Sequence, residues 1–564
     1  MLNKLKNYPI SFSKIIFGYS IFIAFIFNSD LIEKLDKYFL SSPSHSSVFE
    51  IYFFFIIWSA LVFFLSILLF ILGGRYLLKP LVLILLLSAT MISYYKQTYG
   101  IQVEQDIIES LLDAITEGNT GEIKDLLHIK LFTSIVLTAV IPFIPLWFIK
   151  IHYPSLIREC VLRLSWVAGM LIFLVVMIAI NYKDTSLTIR DTRGINKEAI
   201  PHYAISSIFS IVKKSLKTKP QYVTLDNNPV ILSPEQEIVG IIVVGETARA
   251  DRMSLNGYNK KTNPLLEKQQ IINYTEAYSC GTVTKISVPC MFFLGDYNSF
   301  SETKARYQQN LLNIVEKAGG DVLWLENNSS CKNVCENGTK RIDIITEAEN
   351  TYDEVLVKIT EDIVLNNKTS ADNSLNSIKK YIDMGRNVNA SSFVNFKNSK
   401  KKRSLIVLHT MGSHGPKYHK RFPKEFEKFK PSCKTNNPQE CTQEELSNAF
   451  DNTILYTDFV VDSLIEILKK QNKQSFLIYA SDHGESLGEY GLYLHGVPVS
   501  FAPKEQVHIP WVIWYSDKYK KNNKISFVKS EEKITHEFFP HTILKSLKIK
   551  STTLKEEKSL IRLN

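Results

Sequence analysis

The chain contains no internal repeat, no glycine-rich low-complexity tract and only seven cysteines among 564 residues. The first absence excludes solenoid and propeller arrays, which carry a fixed sequence period. The second excludes a long flexible tether of the Gly/Ser type. The cysteines are also unevenly placed, with none before Cys160 and the other six in three neighbouring pairs: Cys280 with Cys290, Cys331 with Cys335, and Cys433 with Cys441. Several connectivities are open to six cysteines. Short closed loops favour pairing between neighbours, each loop contributing roughly 2 to 3 kcal/mol in a chain-entropy picture. A zinc site on CKNVC is the alternative, but no second pair with conventional ligand spacing accompanies it. Disulfides persist in oxidising compartments, so the second half of the chain is expected outside the cytoplasm.

Apolar residues make up 45% of the chain and crowd into its first third, in stretches near Ile10 to Phe27, Phe49 to Leu72, Leu77 to Tyr94, Leu131 to Ile149 and Val161 to Ile180. Crossing about 30 Å of hydrocarbon takes roughly 17 to 25 helical residues, so each stretch is a candidate span. Lipid offers the backbone no hydrogen bonds, so these segments are expected to be helices packed as a bundle. No small-residue cleavage site follows the first stretch, and it is expected to be retained. Lys4 and Lys6, Arg75 and Lys79, and Lys150, Arg158 and Arg163 mark three cytoplasmic regions. Gln102 to Asp125 instead carries seven acidic residues, with Ile107, Leu111 and Ile115 at helical spacing, and reads as an amphipathic helix on the other side.

This gives a transmembrane domain over residues 1–181 with a cytoplasmic N-terminus, a linker over 182–234 and an extracytoplasmic domain over 235–564. In the linker, Ile205, Ile208, Phe209 and Val212 share one face of a helix from Tyr203 to Leu216, closed by Lys213, Lys214 and Lys217. That face suits a membrane surface or packing against the domain that follows. The basic run Lys397 to Arg403 reads as a solvated insertion, and no nucleic-acid partner is expected.

The second half alternates strand-like and helical runs, which predicts an α/β domain with a mainly parallel sheet. Its strands are expected at Ile238 to Val244, Val322 to Leu325, Leu405 to Leu408, Phe476 to Ala480 and Trp511 to Tyr515. Ligands of such sheets gather beyond the carboxyl ends of the strands. Glu246, Asp482 and His483 follow two of these strands closely and His414 follows a third. Thr284 sits in SCGTVTKISVPC, between two cysteines. This set suits metal-assisted phosphoryl transfer, with zinc favoured by mixed oxygen and imidazole ligation and manganese next. Glu246, Asp482 and His483 would hold the ion and leave a position for the Thr284 hydroxyl as an activated nucleophile. His414 and His495 would bind a second metal or the substrate phosphate, and Lys332 would neutralise a phosphate oxygen. The remaining histidines, His409 and His508 among them, are read as structural.

At GETARADRMSLNGY, SCGTVTKISVPCMF, WLENNSSCKNVC, HTMGSHGPKYHKRFP, SDHGESLGEYGLYLHG and APKEQVHIPWVIW the chain resembles the lipid A phosphoethanolamine transferases, including the mobile colistin resistance enzymes. The resemblance implies a five-helix transmembrane bundle ahead of an alkaline-phosphatase/sulfatase-like domain, in a monomer of the bacterial inner membrane with its active site in the periplasm. It implies that phosphatidylethanolamine gives phosphoethanolamine to Thr284, releasing diacylglycerol, and that a lipid A phosphate or a core-sugar group then takes it. Glu246, Thr284, Asp482 and His483 would form the zinc site. Asn328, Ser329 and Lys332 would surround the substrate head group, with Glu485 in support. Such a transfer would confer polymyxin resistance. Core heptose or a protein is an alternative acceptor, and a phosphoglycerol transferase an alternative activity. A sulfatase would need a C/S-x-P-x-R motif, and CGTVT stands here instead.

Overall fold

The computed structural model describes residues 10–41, 47–99, 129–181, 199–215, 220–328, 330–335, 339–343, 352–365 and 401–563, except 154 and 436, together with Ile108, Thr185, Thr188 and Phe396. Ser329, nearly all of 102–125 and most of the basic stretch before Arg403 lie outside the described residues. The chain divides into two compact units, with the break after Lys217.

The first unit is helical: α1 (Phe12–Ile26), α2 (Ser29–Ser41), α3 (Ser47–Leu72), α4 (Leu78–Tyr99), α5 (Ile129–Phe148), α6 (Leu156–Ile180) and α7 (His202–Ser215). Four of these, α3 to α6, are long and apolar enough to cross a membrane. The first expected span is shorter than a membrane: α1 has 15 residues, about 22 Å of helix. It joins α2 across a bend of 56°, and the two count as a fifth span only when taken together. The charges Asp30, Glu33, Lys34, Asp36 and Lys37 make α2 amphipathic. Asn28 stands at the bend, fully buried, and clamps the chain ahead of α7: its Oδ1 accepts from Ile200 N at 2.7 Å and its Nδ2 donates to Ile200 O at 2.9 Å. On α7 itself Ala204 and Ser207 are buried while Ile208 and Phe209 are exposed. The outward side chains of α6, among them Ile172, Val175 and Ile180, form an apolar face of the kind that meets lipid.

The second unit is built on one eight-stranded sheet: β1 (Ile238–Gly245), β2 (Ile271–Tyr278), β3 (Asp321–Glu326), β4 (Lys340–Asp343), β5 (Arg403–His409), β6 (Gln474–Ser481), β7 (His508–Tyr515) and β8 (Ile534–Thr535). Their spatial order is β8-β2-β7-β6-β1-β5-β3-β4. Every pairing is parallel except the two made by β7. The five strands expected from sequence are present. The three unforeseen ones, β2, β4 and β8, are the outer strands, where apolar runs are short or diluted by polar residues.

Alternate residues of the central strands face opposite sides, as a period of two requires. Ile242, Val244, Val322, Trp324 and Val407 pack with Val288 and Met291 of α8 (Thr284–Met291) and with Phe539 and Ile543. Ile241, Val243, Leu323, Leu325 and Ile406 pack with Val460, Val461 and Leu464 of the long helix α9 (Gln443–Gln471). With both faces covered, the strands read as continuous apolar runs. Each buried Ile, Leu or Val contributes about 1.5 to 3 kcal/mol.

The six cysteines of this unit form Cys280–Cys290, Cys331–Cys335 and Cys433–Cys441, and Cys160 is free. The last bond closes a short loop just ahead of α9, remote in sequence from the ligand segments. Replacing Cys433 and Cys441 by serine is expected to lower stability by about 2 kcal/mol while leaving bound metal unchanged. A thermal melt in detergent, paired with elemental analysis, checks both; an unchanged melt would show that the bond adds nothing.

Candidate active site

Parallel pairing of β1 with β6 sets Gly245 opposite Ser481. The next residues, Glu246 and Asp482, therefore leave the sheet side by side at its carboxyl edge, and His483 follows. All three are fully buried, with ligand atoms within 4.8 Å of one another. His483 Nδ1 lies 2.9 Å from the carbonyl of Gly484, so Nδ1 carries the proton. That leaves the Nε2 lone pair facing Asp482 Oδ2 at 3.4 Å and Glu246 Oε1 at 3.5 Å. Burial holds His483 well below the usual imidazole range, with the neighbouring His495 adding to the shift.

Asp482 Oδ1 accepts from the backbone N–H of His483 at 2.7 Å and of Thr247 at 3.3 Å. Its Oδ2 is buried with no hydrogen-bond partner. An orphaned carboxylate oxygen in a dry interior is costly unless a cation meets it. Burial accordingly pushes Asp482 up to about 6. Two carboxylates, one unsatisfied oxygen and one aimed imidazole nitrogen form a donor set that fits a divalent metal ion.

Thr284 begins α8, after the extended Val283. Its Oγ1 lies 3.2 Å from both oxygens of Glu246 and 3.4 Å from His483 Nε2, which places the hydroxyl at the ligand cluster. The Cys280–Cys290 bond closes the loop that carries it. Gly412, at φ 49°, lets a neighbouring turn come close, since a Cβ there would lie 2.8 Å from the carbonyl oxygen of Glu246. Asp353 pins this turn by accepting from the N–H groups of Met411 and Gly412 at 2.8 and 2.9 Å.

His495 and His414 stand beside the cluster. The His495 ring is 4.4 Å from that of His483 and 5.8 Å from that of His414. Glu485, fully buried, orients His495 through Nδ1 at 2.8 Å and accepts from Tyr418 OH at 2.6 Å. His414 Nδ1 is buried and unpartnered, and burial, then the charge of Arg421, holds this imidazole well below its usual range.

The other expected residues are less uniform. Asn328 is fully buried and donates from Nδ2 to Glu246 Oε2 at 2.7 Å and to Thr410 O at 2.9 Å. Lys332 lines a cleft with Pro289, Phe293, Glu302, Arg306 and Asn310. Lys285, next to Thr284, does not reach solvent: its side chain is 7% exposed, with Nζ 3.8 Å from Glu302. Tyr490, in contrast, is 88% exposed. Glu326, Asp353 and His409 are buried polar residues behind the cluster that the sequence motifs do not mark, His409 reading there as a structural histidine. A usable signal existed for two of them, since Glu326 and His409 each end a strand at the edge that carries Glu246.

A sulfatase family model matches residues 239–549, and a phosphoethanolamine transferase EptA/EptB model matches residues 61–216. Phosphoethanolamine transferase EptA of Salmonella typhimurium is 34% identical over 457 residues, 78% of this chain and 76% of that protein. Phosphatidylethanolamine transferase Mcr-1 of Escherichia coli is 31% identical over 500 residues, covering 86% and 87%. A more partial relative, the Kdo(2)-lipid A phosphoethanolamine 7''-transferase of Escherichia coli K12, is 30% identical over 50% of this chain and 45% of its own. The solved structure of the integral membrane lipooligosaccharide phosphoethanolamine transferase A of Neisseria meningitidis superposes with a TM-score of 0.81 at 28% identity, covering 98% of this chain and 99% of that one. With membrane helices ahead of a sulfatase-type sheet, and this identity sustained over most of both chains, the protein belongs to the EptA/EptB family of phosphoethanolamine transferases.

Proposed function

We propose that this enzyme transfers phosphoethanolamine from phosphatidylethanolamine to lipid A, or to another lipopolysaccharide group, through a covalent adduct on Thr284. The observation that carries the reading is the Thr284 hydroxyl, hydrogen-bonded to Glu246 within a buried two-carboxylate, one-imidazole cluster. The names of the relatives support the donor and the acceptor: Mcr-1 is a phosphatidylethanolamine transferase, and the partial relative acts on Kdo(2)-lipid A.

Zinc suits the donor set best, and Glu246, Asp482 and His483, with the Thr284 hydroxyl, would hold it. When bound, it supplies the positive charge that acidifies a hydroxyl and polarises a phosphate oxygen. Thr284 Oγ1 forms the new bond to phosphorus while the bond from phosphorus to the diacylglycerol oxygen breaks. Glu246 takes the hydrogen bond of the hydroxyl, keeps its oxygen aimed and receives its proton as the new bond forms. His495, oriented by Glu485, and His414 hold the phosphate or a second metal, and His495 is the group placed to hand a proton to the departing oxygen. In the second half an acceptor oxygen gives its proton to His495 as it attacks phosphorus, and the bond to Thr284 breaks as Glu246 returns the first proton, restoring the hydroxyl. Asn328, Ser329 and Lys332 are the candidates for the head-group side.

Both substrates are lipids, so the reading takes the bundle over 1–181 as the inner-membrane domain, 182–234 as the linker and 235–564 as a periplasmic catalytic domain, in a monomer. The exposed Ile208 and Phe209 then rest on the membrane surface. Each transferred ammonium lowers the negative charge of the outer surface and weakens its attraction for polymyxin-like cations.

Incubation with fluorescent phosphatidylethanolamine tests the nucleophile. Thr284→Ala is expected to slow diacylglycerol release by about three orders of magnitude or more; release at the original rate would remove Thr284 from that role. Mass spectrometry of lipid A from expressing cells tests the acceptor, with unmodified lipid A beside an active enzyme pointing to another one. Metal uptake should depend on pH, because Asp482, pushed up to about 6, must lose its proton to bind. The zinc affinity of metal-free protein is expected to be flat above that value and to fall about tenfold per pH unit below it. Chelator competition measures this, and an unchanged affinity through the acid range would exclude Asp482 as a ligand.

A further inference from the structure

Behind Glu246 lies a buried pair that the transfer chemistry leaves unused. β3 ends at Glu326 and β5 at His409, in register with each other, and both side chains are fully buried. Three donors converge on the Glu326 carboxylate: His409 Nδ1 at 2.9 Å, the Trp324 indole N–H at 2.8 Å and the backbone N–H of Asn328 at 2.8 Å. Because a carboxylate only accepts, His409 must carry its proton on Nδ1. In the neutral ring Nε2 then turns a lone pair to the other side, 3.4 Å from Asn328 Nδ2 and 4.0 Å from Glu246 Oε2.

The consequence falls on the Asn328 carboxamide. One end of it faces Glu246 Oε2, the Thr410 carbonyl and the His409 lone pair, three acceptors at 2.7, 2.9 and 3.4 Å. Only the NH2 end can stand there, since the oxygen end would meet repulsion from all three. With the opposite imidazole tautomer, one of these acceptors would become a donor and that preference would weaken. Glu326 therefore fixes the tautomer, the tautomer fixes the amide, and the amide holds Glu246.

We infer that Glu326 and His409 are positioning residues, which, anchored by Trp324, lock the Asn328 amide so that Glu246 faces the metal ligands and Thr284. The inference rests on the reading of Glu246 as a metal ligand given above. It assigns a role to side chains that touch neither substrate nor metal, and places the control of Glu246 in the strand next to its own.

The test compares two substitutions of similar polarity in the full-length protein in detergent. In His409→Asn an amide N–H can take the place of Nδ1–H and keep the Glu326 bond, but nothing stands where the Nε2 lone pair met Asn328. His409→Gln puts its amide at the Nε2 end, where its oxygen can accept from Asn328 Nδ2, and leaves Glu326 short of a donor. Zinc affinity, measured by chelator competition, is expected to weaken about tenfold or more in the first and to stay within about threefold in the second. The metal-free Gln variant is expected to melt below the Asn variant, because Glu326 loses a buried donor, yet it is the one expected to keep its zinc, which separates positioning from general destabilisation. Equal zinc affinity in the two variants, high or low, would overturn the inference. Trp324→Phe keeps the ring packing while removing one Glu326 donor, and decides the matter if the histidine variants do not fold. A loss of about tenfold supports the chain of bonds, and an unchanged affinity overturns it. Diacylglycerol release by the unsubstituted protein is scored in parallel. Its absence, with the Asn/Gln difference in zinc affinity intact, would sink the transfer reading alone.

Discussion

The in-register parallel pairing of β1 with β6 is the constraint from which the site follows. It places Glu246 and Asp482 next to each other in a water-poor interior, an arrangement that repulsion and desolvation would both oppose if nothing else were present. A cation would resolve the conflict, satisfying the orphaned Asp482 oxygen and removing the penalty on the second carboxylate. The sheet supplies the opposing stability through strands covered on both faces, so the strained edge is carried by a well-packed core. Binding of a metal ion there would therefore be energetically linked to the fold of this unit.

Around that edge the polar groups divide into two kinds. Thr284, His495 and His414 approach the cluster from loops and from the start of a helix. Glu326, His409 and Asp353 lie deeper and hold the loops by hydrogen bonds to backbone and amide groups. Glu485 belongs with the second kind, since it touches the site only through the His495 ring and is held in turn by Tyr418. The segment behind Glu246 is thus rigid by construction, and a catalytic group needs such support to stay within a few tenths of an ångström of its working position.

Much of this was legible from the residues. Central strands buried on both faces are continuous apolar runs, so β1, β3, β5, β6 and β7 stand out, and residues just past their carboxyl ends are natural ligands. The membrane helices are legible for the same reason, because hydrocarbon demands long uncharged segments. Outer strands such as β2, reading IINYTEAY, lack that signature. The first span is broken in a way that composition does not report, and the bend sits at Asn28, whose partner lies far along the chain at Ile200. Lys285 carries a charge of the kind that ordinarily stays in water, yet it is buried near Glu302.

Sequence alone determined the local matters: which segments are apolar, where strands end, which cysteines are near neighbours, and which side chains have metal or nucleophile chemistry. Those properties depend on covalent neighbours and on periodicity. Tertiary structure alone decided that Glu246 meets Asp482, that Thr284 reaches their oxygens, and that Glu326 and His409 stand behind them. Such contacts join strands far apart in the chain, and their geometry is set by sheet order and register, which no local pattern encodes.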